Sequence, residues 1–406
     1  MNKTPERQDD ATAGVRPASL SAPAGTAGGF IARLGGFFAV LFILVGIHTP
    51  FFPVWLAAKG LDAREIGIVL AAPMFVRFVA VPLVTRWADR NDSLRGTLIA
   101  VCWATLLGYL AIAATSGFRG ILLAVVLMAA GNAPVMALAD AYALQGLKGT
   151  RRAYGPVRMW GSVAFIAANL GAGWMLDWVA PAHLIWLMLV AAFVIALWSL
   201  LLTPLATRAT HAGDAAGAFG LLRQPAFLCV ALGASLIQAS HSLYYGFSAI
   251  AWRAGDYDGL AIGALWALGV IAEILLFAFS GRLPPAFGPL LLLALGGAGA
   301  ALRWIAMAFD PPGWSLPLLQ CLHGLSFGAT HLGTIAFLAA SAPAHAAATV
   351  QGYFYVVLSL VMAAAMSVTG FLYGAYGAAG YAAMALAALL GFALTLLARR
   401  FSAPTV

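Results

Sequence analysis

The chain has 406 residues, of which 63% are hydrophobic and only 9% charged. A soluble domain carries about 25% charge, so a water-facing surface is excluded and the chain reads as a polytopic membrane protein. The net charge of +8 comes from scattered loop residues rather than one basic face, which argues against a nucleic-acid partner, and the odd set Cys102, Cys229 and Cys321 has neither disulfide nor metal-ligand spacing.

Residues 1–30 are rich in Ala, Gly, Thr and Pro, carry Glu6, Asp9 and Asp10, and read as a disordered cytoplasmic tail. A secretory leader would have a basic start and a short apolar run before a cleavage site, whereas the first apolar run here is long enough to span. A spanning helix needs about 20 apolar residues. Twelve such stretches follow, at 32–55, 65–87, 96–115, 119–145, 155–178, 183–203, 225–251, 259–281, 287–309, 314–341, 347–373 and 377–398. The longest connection, 204–224, is expected to be a cytoplasmic linker between six-helix bundles at 31–203 and 225–400, with a short tail at 401–406. Twelve spans put both termini on one side. Of the 22 Lys and Arg residues, 15 fall on that side, only Lys59, Arg64, Arg119 and Arg253 fall on the other, and three lie within spans. The positive-inside bias therefore predicts cytoplasmic termini in a bacterial-type inner membrane.

The two halves carry traces of a repeat. A shift of 196 residues lays Asp62 on Asp258, Ile66 on Ile262, Gly67 on Gly263 and Arg86 on Arg282, and sets Arg77 opposite Glu273. Duplicated six-helix halves are a transporter architecture, with the substrate site near the bilayer midplane between them.

The loop after the second span reads Arg86-Trp87-Ala88-Asp89-Arg90 and resembles the signature of the major facilitator superfamily, in which an Asp-Arg pair follows a glycine; Thr85 and Asp92 stand where the two glycines are expected. The resemblance implies an all-α membrane fold of twelve helices in two pseudo-symmetric bundles. Arg303 in the ninth span and His323 in the tenth resemble the proton-coupling region of the lactose permease, and Asp140 with Gly155-Pro156-Val157-Arg158 resembles its substrate-holding carboxylate and arginine. Tyr244-Tyr245-Gly246-Phe247-Ser248 and Leu268-Gly269-Val270-Ile271-Ala272-Glu273 are similar instead to the 3-phenylpropionate permease branch. Departures from the lactose permease stand at Ser326, where a glutamate exchanges the proton, at Gln320 for a lysine, and at Phe165 for the tryptophan that stacks on a galactoside. Lactose transport by these residues is therefore not expected. The resemblance implies a proton-coupled symporter, with aromatic acids as candidate solutes.

An ionisable group at bilayer depth costs about 2.5–3.5 kcal/mol on insertion scales, so it requires a partner or a role. Five such groups stand out: Arg77, Asp140, Arg158, Glu273 and Arg303. Arg77 lies about twelve residues, roughly 18 Å, into the second span, and Glu273 is similarly deep in the eighth. A structural pair between these two is the rival reading. For Asp140 and Arg158 the rival is an ion pair near the headgroups, and for Arg303 it is outward snorkelling. Three arginines against two carboxylates leave a positive surplus, which suits an anionic solute because a guanidinium binds a carboxylate in two-pronged fashion.

Candidate substrate-binding residues are therefore Arg77, Asp140, Arg158, Phe165, Tyr244 and Tyr245, with Glu273, Arg303 and His323 as candidates for proton coupling. His323 matches the coupling histidine by position, and a plain interhelical hydrogen bond is its ordinary alternative. The aromatic residues have interfacial anchoring as theirs. The leading function is proton-coupled uptake of a small organic anion such as a phenylpropionate-like acid. A sugar or nucleoside permease, a drug antiporter, and a membrane receptor or sensor remain alternatives. No zinc helix, exposed serine motif or phosphate loop points to an enzyme. The expected partners are a small solute, protons and the lipid bilayer, with no cofactor or metal and a monomeric working unit.

Overall fold

A computed structural model describes residues 24–148, 153–205, 223–284, 286–342 and 347–401. All regular elements among them are helical. The first half contains α1 (Ala24–Ala58), α2 (Ala63–Arg90), α3 (Leu94–Ala114), α4 in two pieces (Gly117–Asn132 and Val135–Leu147), α5 (Tyr154–Leu176) and α6 (Leu184–Leu200). The second contains α7 in two pieces (Pro225–Ala239 and Ser242–Ala254), α8 (Gly259–Phe279), α9 (Pro289–Ala308), α10 (Leu316–Ser341), α11 (Ala347–Tyr376) and α12 (Tyr381–Phe401). The last apolar stretch, Thr349–Phe401, has 53 residues. As one straight helix it would run roughly 80 Å, far more than a bilayer needs. The 3₁₀ turn Gly377–Gly380 folds it back, so it supplies the eleventh and twelfth helices.

The twelve helices match the predicted spans to within a few residues, except that α1 begins at Ala24, inside the stretch expected to be a tail. Alanine and glycine there carry no charge that opposes continuing the helix toward the membrane surface. Residues 1–23, most of the expected linker (206–222) and 402–406 lie outside the described residues.

The repeat reappears as matched local chemistry. Asp62 caps α2, accepting from the Glu65 amide at 2.8 Å while Glu65 returns a bond to the Asp62 amide at 3.1 Å. Asp258, its counterpart, caps α8 by accepting from the Ala261 amide at 2.6 Å. Each supplies an acceptor to amides that a helix start leaves unpaired.

The halves meet chiefly where α2 packs on α11 and α5 on α8, two crossings related by the same repeat, with a smaller contact of α1 on the second piece of α7. Both crossings are built from glycine near the face opposite the termini. A Cβ at Gly67 would stand 2.8 Å from the Gly370 nitrogen, and one at Gly263 would overlap the Asn169 carbonyl oxygen. Gly173 and Gly259 approach each other in the same way. Removing the side chain lets two backbones touch, the device by which small residues tighten helix contacts in lipid. Asp177, at the end of α5, adds a polar bond across this face. It accepts from the Gly259 amide at 2.6 Å and the Leu260 amide at 3.1 Å, and lies 3.5 Å from Arg253. Its carboxylate thereby sits on the positive end of α8.

Gly263→Val would force the α5–α8 crossing apart. Spin labels at Arg119 and Asp310, exposed far-face residues of opposite halves, should then separate by several ångströms; an unchanged distance would show that glycine does not set this contact.

Candidate functional site

A cavity of about 380 Å³ lies chiefly within the first half, among α1 to α4, and is completed from the second half by Tyr245 and Met366. Its walls are mainly leucine, valine and methionine. Its polar lining comes from His48, Thr49, Arg77, Tyr109, Asn132 and Tyr245. Arg77 is exposed to this space, and among the described residues no hydrogen bond or ion pair reaches it. His48 stacks on Phe52 with ring centroids 4.4 Å apart and meets the Tyr109 hydroxyl at 2.9 Å through Nδ1.

The α4 wall of the cavity is broken. Pro134 has no N–H, so the helix stops at Asn132 and restarts at Val135. Ala133 and Pro134 keep right-handed helical dihedrals, so the interruption is a proline kink with one bond missing from the ladder. Asn132 and Ala133 at the break both line the cavity.

A second polar group lies nearer the termini. Asp140 accepts from the Tyr154 hydroxyl at 2.6 Å, and the Arg158 Nε is 4.0 Å from the same oxygen. The Arg158 guanidinium also lies 4.3 Å from the centre of the Phe42 ring and 5.6 Å from that of Phe38, two cation–π contacts onto α1. Neither Asp140 nor Arg158 is among the residues that line the cavity. Arg158 is within electrostatic range of Glu273 in the other half.

The third group brings the expected coupling residues together. Arg303 is fully buried. Its Nη2 donates to the Gln320 side-chain oxygen at 2.5 Å and its Nη1 lies 3.0 Å from His323 Nδ1. The rings of Tyr244 and Trp304 each have their centres 4.6 Å from the guanidinium carbon. No carboxylate lies within 4 Å of it among the described residues. Arg303 does not touch Glu273 directly; His323 stands between them, its Nε2 3.9 Å from Glu273 Oε2. A guanidinium can only donate, so His323 Nδ1 accepts and a neutral ring carries its proton on Nε2, facing the carboxylate. His241 is oriented the other way. Its Nδ1 faces the Ile237 and Gln238 carbonyls at 3.2 Å, so it donates there, and Nε2 accepts from the Ser326 hydroxyl at 3.0 Å. Ser326, at the position of the lactose-permease glutamate, thus serves as a hydroxyl bridge within the bundle.

Gly324–Ala329 of α10 is a π-helical turn, a feature that often marks functional sites. Eight residues along an ideal α-helix would set His331 about 80° from His323. The wider turn removes most of that drift. His323 stacks on Phe327 at 5.2 Å, and Phe327 on His331 at 6.1 Å, in one column.

Two expected aromatic wall residues stand elsewhere. Phe165 is buried against α1, where its carbonyl oxygen would be 2.8 Å from a Cβ at Gly46. It lies two turns beyond Arg158, and so on the same α1-facing side. Tyr244 is buried, stacked on Trp266 at 4.6 Å and on the Arg303 guanidinium. Neighbouring residues on a helix point about 100° apart, so Tyr244 is buried in the second half while Tyr245 reaches the cavity. The sequence reading missed the His48–Tyr109 pair, Asn132 and the acceptor role of Gln320. The signal for Asn132 was legible, because Asn132-Ala133-Pro134 is a helix breaker inside an apolar span.

A twelve-helix body of two glycine-joined halves, each with buried polar groups, is the architecture of a secondary transporter of the major facilitator type. Residues 31–383 match the MFS_1 like family, and the chain belongs to it. It is 30% identical over 361 residues to the "Probable 3-phenylpropionic acid transporter" of Escherichia coli (strain K12), an alignment covering 87% of this chain and 94% of that one. It is 29% identical over 303 residues to the maltose permease of Geobacillus stearothermophilus, covering 72% of this chain and 74% of the relative. Among solved structures, the nucleoside transporter NupG superposes with a TM-score of 0.79 at 15% identity, covering 92% of this chain and 98% of that one. A bacterial homolog of the human lysosomal transporter Spinster gives 0.74 at 16% identity, covering 92% and 96%. These last two likenesses concern the fold.

Gln320→Leu would leave the buried Nη2 of Arg303 without its acceptor. That should cost about 1–3 kcal/mol, read as a lower unfolding midpoint. An unchanged midpoint would show that the contact contributes nothing.

Proposed function

We propose that the protein is a proton-coupled symporter that takes up a small aromatic carboxylate by alternating access. The observation that carries this reading is Arg77, a cavity-lining guanidinium with no acidic partner among the described residues. An unpaired guanidinium facing a cavity within the span is completed by an anionic ligand, and its planar fork matches a carboxylate. The surrounding apolar wall, with Phe52 and Tyr245, suits a hydrocarbon ring. Similarity to a relative named for 3-phenylpropionic acid agrees with this choice. Arg158 is the second candidate for the carboxylate. Its contact with Asp140 gives it a counter-charge already, which favours Arg77. A sugar or nucleoside would leave Arg77 without a counter-charge.

In the coupling step, Glu273 carries the proton. Arg303 fixes His323 with its N–H toward Glu273, so the histidine orients and relays rather than storing charge. Neutralising Glu273 lowers the cost of moving α8 through the closed intermediate. The halves 31–203 and 225–400 rock about the site as units, joined by the 204–224 linker. The termini are cytoplasmic, in a bacterial-type inner membrane, so closure at the far glycine crossings corresponds to an inward-facing state. The working unit is a monomer.

Arg77→Lys keeps the charge but loses the planar fork, and should weaken binding of 3-phenylpropionate by about tenfold or more, in line with the loss of a charge-assisted hydrogen bond. The uncharged amide should bind poorly to both proteins. Wild-type protein that binds amide and acid alike would point to a neutral solute instead. Glu273→Gln should abolish pH-driven accumulation in proteoliposomes while retaining counterflow exchange. Full accumulation by that variant would place the proton elsewhere.

A further inference from the structure

The cavity holds a polar group that a simple carboxylate ligand does not use. Tyr109 is buried, and among the described residues the hydrogen-bond partner of its hydroxyl is His48 Nδ1. Leaving a buried hydroxyl proton without an acceptor is costly, so the tyrosine donates and Nδ1 accepts. The neutral imidazole then carries its proton on Nε2. No hydrogen bond to Nε2 is present among the described residues, and the His48 ring lines the cavity. Stacking on Phe52, with 20° between the planes, fixes the orientation of the ring. The cavity thus contains an oriented imidazole N–H in addition to the guanidinium, alongside the Asn132 amide and the Thr49 and Tyr245 hydroxyls that also line it.

Their placement sets a length. Arg77 is 14 residues from the start of α2 at Ala63, and His48 is 10 residues from the end of α1 at Ala58, both ends on the far face. At about 1.5 Å per residue, the two positions differ in depth by roughly 6 Å. Val45, Met74 and Met128 line the cavity at the depths between them and carry no N–H or O–H group. An apolar band therefore lies between the two polar ends.

Resting on the aromatic-carboxylate reading above, we infer that His48, held in one tautomer by Tyr109, recognises an oxygen substituent on the substrate ring, so that the preferred solutes are hydroxylated aryl-alkanoic acids. The carboxylate lies on Arg77, the ring fills the apolar middle, and the phenolic oxygen accepts from His48 Nε2. His48 is the specificity-determining group and Tyr109 a positioning residue.

Isothermal titration of the purified full-length protein with 3-phenylpropionate and with its 3-hydroxy and 4-hydroxy ring derivatives tests this. One of the hydroxy acids should bind about five- to tenfold more tightly than the parent acid, the worth of one hydrogen bond. His48→Phe should bring that ratio close to one, and Tyr109→Phe, which keeps the ring and its packing, should reduce it. A wild-type ratio near one, or a preference unchanged in both variants, would overturn the inference while leaving the aromatic-acid reading standing. Failure of all three acids to bind would overturn that reading and this inference with it.

Discussion

Backbone meeting backbone at two glycine crossings determines where the halves touch, and therefore where space opens between them. Gly67 against Gly370 and Gly263 against Asn169 bring α2 to α11 and α8 to α5 on one face only. Contacts of this kind have no long side chain to adjust; they are made or they are absent. Lipid gives helices no hydrophobic drive toward each other, so close packing and polar bonds must supply the association. The Asp177 carboxylate on the first amides of α8 supplies the polar part at the same face.

With that face closed, the distribution of charge becomes intelligible. The three deep arginines stand in three different surroundings. Arg158 has a carboxylate and two aromatic faces. Arg303 has neutral acceptors and two rings, so its charge is held without an acid. Arg77 has the cavity and, within electrostatic range, the Tyr355 ring of α11, with no acid. Glu273 correspondingly faces a histidine rather than an arginine. An acid freed from permanent pairing with a cation can change its protonation without leaving a buried positive charge stranded.

The twelve spans were legible because hydrocarbon thickness imposes one length on every crossing helix, and the repeat was legible because Asp62 and Asp258 do the same capping work. The chain's buried charges were also identifiable from cost alone. Which of them share a site was not, because that depends on rotation about each helix. Tyr244 and Tyr245 are neighbours in sequence but belong to different environments. Phe165 follows Arg158 onto the α1 interface rather than into the cavity. The Asp177 contact was missed for a different reason. A carboxylate at a helix end is explained by water alone, so nothing in its position signals that it bonds the opposite half.

The π turn of α10 has a consequence for conduction along the helix. It aligns two imidazoles, His323 and His331, with Phe327 between them. Such a column resembles a wire in outline, but its middle member is a hydrocarbon ring with no atom able to accept or release a proton. It insulates the buried end from the terminus side. Under the proposed coupling, a proton leaving Glu273 would exit through the space between the halves, where its release is tied to which face is open. A continuous chain of imidazoles there would let protons leak independently of the solute; a phenyl ring in the column breaks that circuit.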